Sequence, residues 1–386
     1  MGNQHQIRKF VNPEIVYGNG ALNLAGQYAR TYEAEKVLVV TDKGVMEAGW
    51  ADKVTSCLNN AGIETVTFSD ISPNPRDHQV MAGADLYISS MCDAIVAVGG
   101  GSPMDCAKGI AIVATNNCHI LDVEGVDKVR YPMPPLICIP TTAGTSADVS
   151  QFAIINNTAE KVKIAIVSKS TVPDVALIDP QTTTTMPSYL TACTGMDALT
   201  HAVEAYVSNA SSAMTDLHAL QAIKLVGLHL QKAIDNPQNL EYRDGMMLAS
   251  MEAGLAFSNA SLGAVHAMAH SLGGLLDLPH GECNALLLEH VIRYNFSAAT
   301  ERYRDVAAAL GLDVSNMGDD VCLDTLTGCI RNMRIRAGIT NSLRKAGVTT
   351  DIIPSLAVKA MKDACMVTNP RRPSLSDIET IYENAA

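Results

Sequence analysis

Between Lys36 and Asp179 the chain alternates short apolar runs with amphipathic stretches. The runs cover residues 37–41, 64–68, 94–98, 136–139, 163–167 and 175–178, and they are rich in β-branched side chains. Helical spacing of apolar positions fills 44–61 and 77–91. A strand that is apolar at nearly every position is covered on both faces, so this alternation predicts a parallel sheet with helices on either side. After Leu136 the runs are spaced more like hairpin and crossover strands, which leaves room for a mixed sheet. Beyond Met186-Pro187 the strand-like runs stop, and Ala, Leu, Met and charged residues recur at helical spacing. Helices are expected over 188–207, 213–233, 240–257, 262–276, 297–309 and 353–362. Asp216, Asp235-Asn236-Pro237 and Ser374 read as caps or breaks. The expected organisation is an α/β domain, 1–185, followed by an all-helical one, 186–386.

A chain of 386 residues exceeds the size at which one core keeps growing, which agrees with two domains. With 47% hydrophobic and 18% charged residues the composition is that of a globular protein. A net charge of −12 argues against nucleic acid or an anionic membrane as partner and leaves a small molecule as the expected one. No apolar run reaches the length of a membrane span. The opening M-G-N-Q-H-Q-I-R-K-F lacks a signal peptide's apolar core, and Gln6 stands where a myristoylation motif needs Ser or Thr. The ten cysteines show no C-x-x-C spacing, which fits free thiols in the reducing cytoplasm.

Candidate chemistry first appears at A-I-V-A-V-G-G-G-S-P-M-D-C-A-K, residues 94–108. A buried strand gives way to Gly99, Gly100 and Gly101, with Ser102 expected to cap the next helix, Pro103 at its first position and Asp105 at its third. Glycines let the backbone approach a pyrophosphate, and a helix N-terminus offers N–H donors and the positive end of its dipole. The pattern is neither G-x-G-x-x-G nor a P-loop. Two segments complete a dinucleotide site. Thr141, Thr142 and Thr145 lie in a hydroxyl-rich loop after one strand, and Asp42 follows another. An acid there can accept from an adenine-ribose hydroxyl and repels a 2′-phosphate, favouring NAD over NADP, although Asp42 serves equally well as a helix cap. An acidic chain must hold a dianionic cofactor through local N–H groups and a cation such as Lys163.

The second concentration of chemistry runs from Thr194 to Gly281. Asp197 and His201, and likewise His266 and His270, are four apart and share a helical face. Asp197, His201, His266 and His280 form a carboxylate–imidazole set suited to Zn²⁺, Fe²⁺, Co²⁺ or Mn²⁺ rather than Ca²⁺ or Mg²⁺. On one straight helix positions 266 and 280 would stand about 21 Å apart, so the chain must bend back near Gly273, Gly274 and Pro279. From spacing alone His270 is either a fifth ligand or a neighbouring proton-transfer group. His218, His229 and His290 read as structural.

Together G-G-G-S-P-M-D (99–105), P-T-T-A-G-T-S (140–146), T-G-M-D-A-L-T-H-A-V-E-A-Y (194–206) and H-A-M-A-H-S-L-G-G-L-L-D-L-P-H-G (266–281) resemble the iron-dependent, group III alcohol dehydrogenase family nearly end to end. The 1,3-propanediol dehydrogenase and lactaldehyde reductase branch is the most similar. The resemblance implies a dehydroquinate synthase-like fold, an α/β dinucleotide-binding domain plus an all-α domain with the active site in the cleft between them. It implies iron(II) on Asp197, His201, His266 and His280, with zinc an alternative, and His270 beside metal and nicotinamide without being a ligand. NAD would lie over Gly99–Ser102, and Phe152, Phe257, Ala264 and Cys365 would line the substrate pocket. The implied activity interconverts short primary alcohols or diols and aldehydes, in a homodimer or larger assembly. The competing expectations are a glycerol-dehydrogenase-like zinc enzyme and a dehydroquinate-synthase-like lyase. Asp148, Ala264 and Glu289 depart from the family pattern, none at a ligand position.

Overall fold

The computed structural model describes residues 7–386. The expectations resting on Met1 to Gln6 therefore lie outside the described residues. The chain forms two compact units, Val11–Met186 and Pro187–Ala386, the second joined by residues 7–10.

In the first unit strands β1 (Glu14–Tyr17), β2 (Lys36–Val40), β3 (Glu64–Phe68), β4 (Ala94–Gly99), β5 (Gly125–Val126), β6 (Leu136–Pro140), β7 (Phe152–Asn157), β8 (Val162–Val167) and β9 (Val175–Ile178) follow one another. Helices α1 (Ala25–Thr31), α2 (Lys43–Glu47), α3 (Trp50–Asn60), α4 (Asp77–Ser89) and α5 (Gly101–Asn116) lie between them. The main sheet has the order β1-β9-β6-β4-β2-β3, and every pairing in it is parallel. Along β2 the side chains divide by parity: Val37 and Val39 enter one core, Leu38 and Val40 the other. Burial of both faces is why these strands read as unbroken apolar runs.

The strand order reverses between β2 and β4. The chain leaves β2 toward β3 on one side, then returns to place β4 and β6 on the other. Open α/β sheets bind ligands beyond the carboxyl ends of the strands at such a switch point. Asp42 follows β2, the Gly99–Gly101 turn follows β4, and Thr141 follows β6, so three of the sequence-selected segments emerge side by side from neighbouring parallel strands.

The expected mixed sheet is instead two sheets. The antiparallel hairpin β7–β8, with β5 added, stands apart from the main sheet. Strands β1, β5 and β7 went unpredicted; β1 and β5 are very short, and β7 ends in Asn156-Asn157. The single helix expected over 44–61 is broken at Gly49, whose φ of 81° interrupts it between α2 and α3. One buried cation ties the hairpin to the sheet: Lys108 of α5 donates from Nζ to the carbonyls of Ser150 and Phe152, each at 2.8 Å. Burial pushes its ammonium below the ordinary value, while Asp105 and Asp148 pull it back up. Asp148 is itself pushed by burial to about 6.

The second unit is helical: α6 (Ser188–Val207), α7 (Ala213–Asp235), α8 (Leu240–Ala260), α9 (Ala264–Leu276), α10 (His280–Asn295), α11 (Thr300–Ala309), α12 (Asp319–Arg336), α13 (Ile353–Lys362) and α14 (Leu375–Ala385). Helix α6 is buried from Gly195 through Val207 and packs on α7, α8 and α10. Ser374 caps α14 as expected, but α7 is capped by Ser212 rather than Asp216, which sits in its first turn and pairs with Arg302. Helices α10 and α12 were not anticipated, and α14 only through its cap. Among the described residues no helix is long and apolar enough to cross a membrane.

Replacing Lys108 with Met should strand two buried carbonyls. A loss of about 2–4 kcal/mol in urea-induced unfolding is expected, with no change in the metal content of the helical unit.

Candidate metal centre and nucleotide site

Helix α6 holds Asp197 and His201 one turn apart, at 2% and 3% exposure. Helix α9 supplies His266 and ends at Leu276, where Asp277 adopts a left-handed φ of 54°. That residue turns the chain, and Pro279 precedes α10, whose first residue is His280. The reversal needed to bring positions 266 and 280 together is therefore real, but it sits at Asp277. Gly273 and Gly274 are helical and buried within α9. Gly281 lets α10 seat against α6, since a Cβ there would run into the Cys193 backbone carbonyl.

The result is a convergence. One donor atom each from Asp197, His201, His266 and His280 lies within 4.8 Å of all the others. Asp197 Oδ1 is 4.0 Å from His201 Nε2 and 3.8 Å from both His266 Nε2 and His280 Nε2. Donors about 2.1 Å from one tetrahedral ion stand about 3.4 Å apart, so the three separations from Asp197 are a few tenths of an ångström wider than in a closed site. The amide nitrogen of Asn284 tests the polarity of the centre. It lies 2.6 Å from Asp197 Oδ1, 3.1 Å from His266 Nε2 and 3.3 Å from His280 Nε2. Those atoms thus present lone pairs to one electropositive group, and Asn284 Oδ1, buried among the described residues, has no partner. The donor set fits a divalent cation.

Protonation agrees with ligation. Burial, then the neighbouring His201, holds His266 well below the ordinary imidazole value, which keeps it neutral. The His201 ring is stacked between Phe257, at 4.3 Å between centroids, and His266, at 4.5 Å. His266 Nδ1 is 2.6 Å from Glu204 Oε2, and Glu204 Oε1 accepts from the Val265 N–H at 2.6 Å. Burial pushes the Glu204 carboxyl up to about 7 against the opposing pull of backbone N–H groups at Val265, Gly263 and His266.

His270, one turn along α9, stands 5.3 Å from the His280 ring, centroid to centroid. Its Nδ1 is 2.8 Å from Asp363 Oδ2. Burial raises the Asp363 carboxyl, but the charge and hydrogen bond of His270 and the hydrogen bonds from Cys365 outweigh it and hold the group below its usual value. Burial raises the Cys365 thiol well above the ordinary range, so it offers no thiolate. Ala264 and Cys365 are fully buried in this unit, and Phe152 belongs to the other. Glu289, a departure from the expected pattern, is buried and bonded to Arg331 at 2.6 Å and Arg334 at 3.4 Å. His218 pairs with Glu252, His290 lies near Glu289, and neither belongs to the convergent cluster.

In the α/β unit the structure corrects the reading of the glycine turn. Helix α5 starts at Gly101 with Gly100 as its N-cap; Ser102 does not cap it and Asp105 lies beyond its first turn. Ser102 Oγ instead accepts from the Asn74 N–H at 3.3 Å, and Asn74 Oδ1 accepts from Lys163 Nζ at 2.6 Å. Lys163 is thereby held at the start of α5. Among the described residues no side chain caps this helix, so its first N–H groups remain oriented for an anion. The glycines are required by the protein's own packing. A Cβ on Gly100 would stand 3.0 Å from Thr142 Cγ2, and one on Gly101 would stand 2.6 Å from Thr145 Cγ2. The turn and the threonine loop are thus one cradle, closed by the Thr141 N–H to the Gly99 carbonyl at 2.9 Å. Asp42 caps α2, accepting from the Val45 N–H at 2.9 Å. One oxygen is so engaged, and ribose recognition would fall to the other.

Sequence reasoning missed Glu204, Asn284 and Asp363. Glu204 was legible, because Asp197, His201 and Glu204 fall at i, i+4 and i+7 and so on one helical face. Asn284 follows His280 at i+4, in a stretch to which no helix was assigned. Asp363 is brought to His270 by tertiary packing alone.

Residues 12–180 match the family described as iron-containing alcohol dehydrogenase, and residues 191–386 match the C-terminal part of the Fe-containing alcohol dehydrogenase family. The chain is 41% identical to a 1,3-propanediol dehydrogenase of Klebsiella pneumoniae over 96% of each chain. It is 38% identical to an NAD-dependent methanol dehydrogenase of Bacillus methanolicus, over 97% of this chain and 99% of that one. A crystal structure of a 1,3-propanediol oxidoreductase superposes with a TM-score of 0.95 at 40% identity, covering 99% of this chain and 100% of its own.

Replacing Gly101 with Ala should push the start of α5 off Thr145 at a cost of about 1–3 kcal/mol. Dinucleotide affinity, read by fluorescence titration with NADH, should fall, while metal content should not.

Proposed function

The chain belongs to the iron-containing alcohol dehydrogenase family, and on that premise we propose that it interconverts short primary alcohols or diols and their aldehydes with NAD, using Fe²⁺ held by Asp197, His201, His266 and His280. The observation that carries the reading is the convergence of those four buried donor atoms within 4.8 Å. The relatives named for 1,3-propanediol and methanol support a short aliphatic substrate.

When bound, the divalent ion supplies Lewis-acid polarisation of the substrate oxygen, and the dinucleotide accepts or returns the hydride. Only one of the four ligands is anionic, so the site leaves net positive charge to act on that oxygen. Burial keeps the His266 imidazole neutral and limits the water that could compete for the ion. His270 holds and moves the proton released from the alcohol, with its ring oriented through Nδ1 by the ionised Asp363. In the other unit the uncapped start of α5, the Thr141–Thr145 loop and Lys163 bind the pyrophosphate, and the free Asp42 oxygen favours NAD over NADP. The reading includes a cytoplasmic homodimer or larger assembly acting on a small molecule.

A glycerol-dehydrogenase-like zinc enzyme is the nearer rival. The presence of all four donors favours the iron-type site.

With a panel of short alcohols, net NADH formation should be lost on chelation and restored by Fe²⁺. His266→Ala should abolish metal retention and turnover while NADH binding survives; an active variant after chelation would overturn the assignment. Asp363→Asn should retain the metal but lower kcat about 10–100-fold. Unchanged kcat in that variant would remove Asp363 from the proton path.

A further inference from the structure

We propose that Glu204 is a positioning residue that fixes the tautomer of His266, holding the proton on Nδ1 so that the Nε2 lone pair faces the metal centre.

A neutral imidazole carries one N–H, and which nitrogen bears it is set by what faces the other. Glu204 Oε2 lies 2.6 Å from Nδ1 and accepts from it, the backbone N–H groups at the start of α9 favouring the ionised carboxylate. At the opposite edge of the ring the Asn284 amide nitrogen, a donor, lies 3.1 Å from Nε2. Both edges therefore specify the same tautomer, the one with an available lone pair on Nε2.

Glu204 has little freedom to do otherwise. Its carboxylate also closes the start of α9, taking the Val265 N–H at 2.6 Å and approaching the His266 N–H at 3.4 Å. The N-cap residue itself, Gly263, offers no side chain, and a Cβ there would stand 2.8 Å from Glu204 Oε1. The cap thus comes from α6, on the face that already carries Asp197 and His201. One helix face supplies two ligands and the group that aims a third. Carboxylate partners of ligating histidines commonly contribute about 10–100-fold to metal affinity.

Glutamine is the informative replacement because it keeps the shape. With its oxygen toward the backbone donors, its NH₂ would face Nδ1, demanding a lone pair there and moving the ring proton to Nε2. Turned over, the NH₂ would meet the Val265 N–H, donor against donor in a buried place. The first orientation opposes the metal-binding form of His266 directly, and the second keeps that form only at the cost of the donor–donor contact at the start of α9.

The proposal rests on the metal reading above, and its test separates the two. Purified full-length protein is stripped of metal and titrated with Zn²⁺, and anaerobically with Fe²⁺, against a competing chelator. Glu204→Gln should weaken binding about 10–100-fold while the metal-free melting temperature stays close to that of the wild type. Asn369→Ala is the control, since Asn369 Oδ1 accepts from the neighbouring Ala264 N–H at 3.1 Å without touching His266. It should lower the melting temperature and leave affinity nearly unchanged. Wild-type affinity in Glu204→Gln would overturn the proposal, as would affinity losses in both variants that merely track their melting temperatures. Absence of stoichiometric binding by the wild type would instead defeat the metal reading itself. If the Gln variant does not fold, ¹⁵N-histidine spectra of the metal-free wild type still decide: a His266 proton on Nε2 overturns the proposal.

Discussion

Gathering a carboxylate and three imidazoles into one nearly dry space is unfavourable for the apoprotein, and much of the helical unit follows from making it tolerable. The His266 ring is held neutral by burial and stacks on that of His201. Asn284 turns its amide nitrogen toward the lone pairs that would otherwise face one another. Gly281 allows α10 to lie directly on α6, and the left-handed Asp277 reverses the chain within four residues of two ligand-bearing helices. Remove the need to converge and none of these local features has an evident reason.

The α/β unit solves a different problem, that of presenting backbone donors. There the sheet order does most of the work, since three adjacent parallel strands deliver Asp42, the glycine turn and the threonine loop to one edge. The glycines serve the approach of the turn to Thr142 and Thr145, so the cradle is built before any ligand arrives. Lys163 reaches the same place by a detour through Asn74 and Ser102.

How much of this was legible in the sequence depends on how local the determinant is. Strands β3 and β9 and helices α6 and α13 have the expected bounds, because apolar periodicity alone fixes them. That Asp197 and His201 share a face was legible because i, i+4 spacing is a local property; His266 and His270 have the same spacing, yet only His266 joins the cluster with His280, which tertiary packing decides. The break at Gly49 and the separate β7–β8 sheet were not, because a lone glycine and an apolar run each admit two structures until neighbours are known. Ser102 shows the same limit: its hydroxyl chose Asn74, distant in sequence, over the helix end beside it. Asp363 could not have been found at all, since nothing near His270 in the sequence points to it.

The four convergent donors come from α6, α9 and α10, with α7 and α8 lying between the first and the others in the chain. No single hairpin contains all four donors, so the centre exists only once segments distant in sequence have docked. An ion that binds such a place selects the completed unit over every less complete form and stabilises it in proportion to the logarithm of its free concentration. The supply of metal in the cell would then govern the lifetime of the folded chain as well as its chemistry.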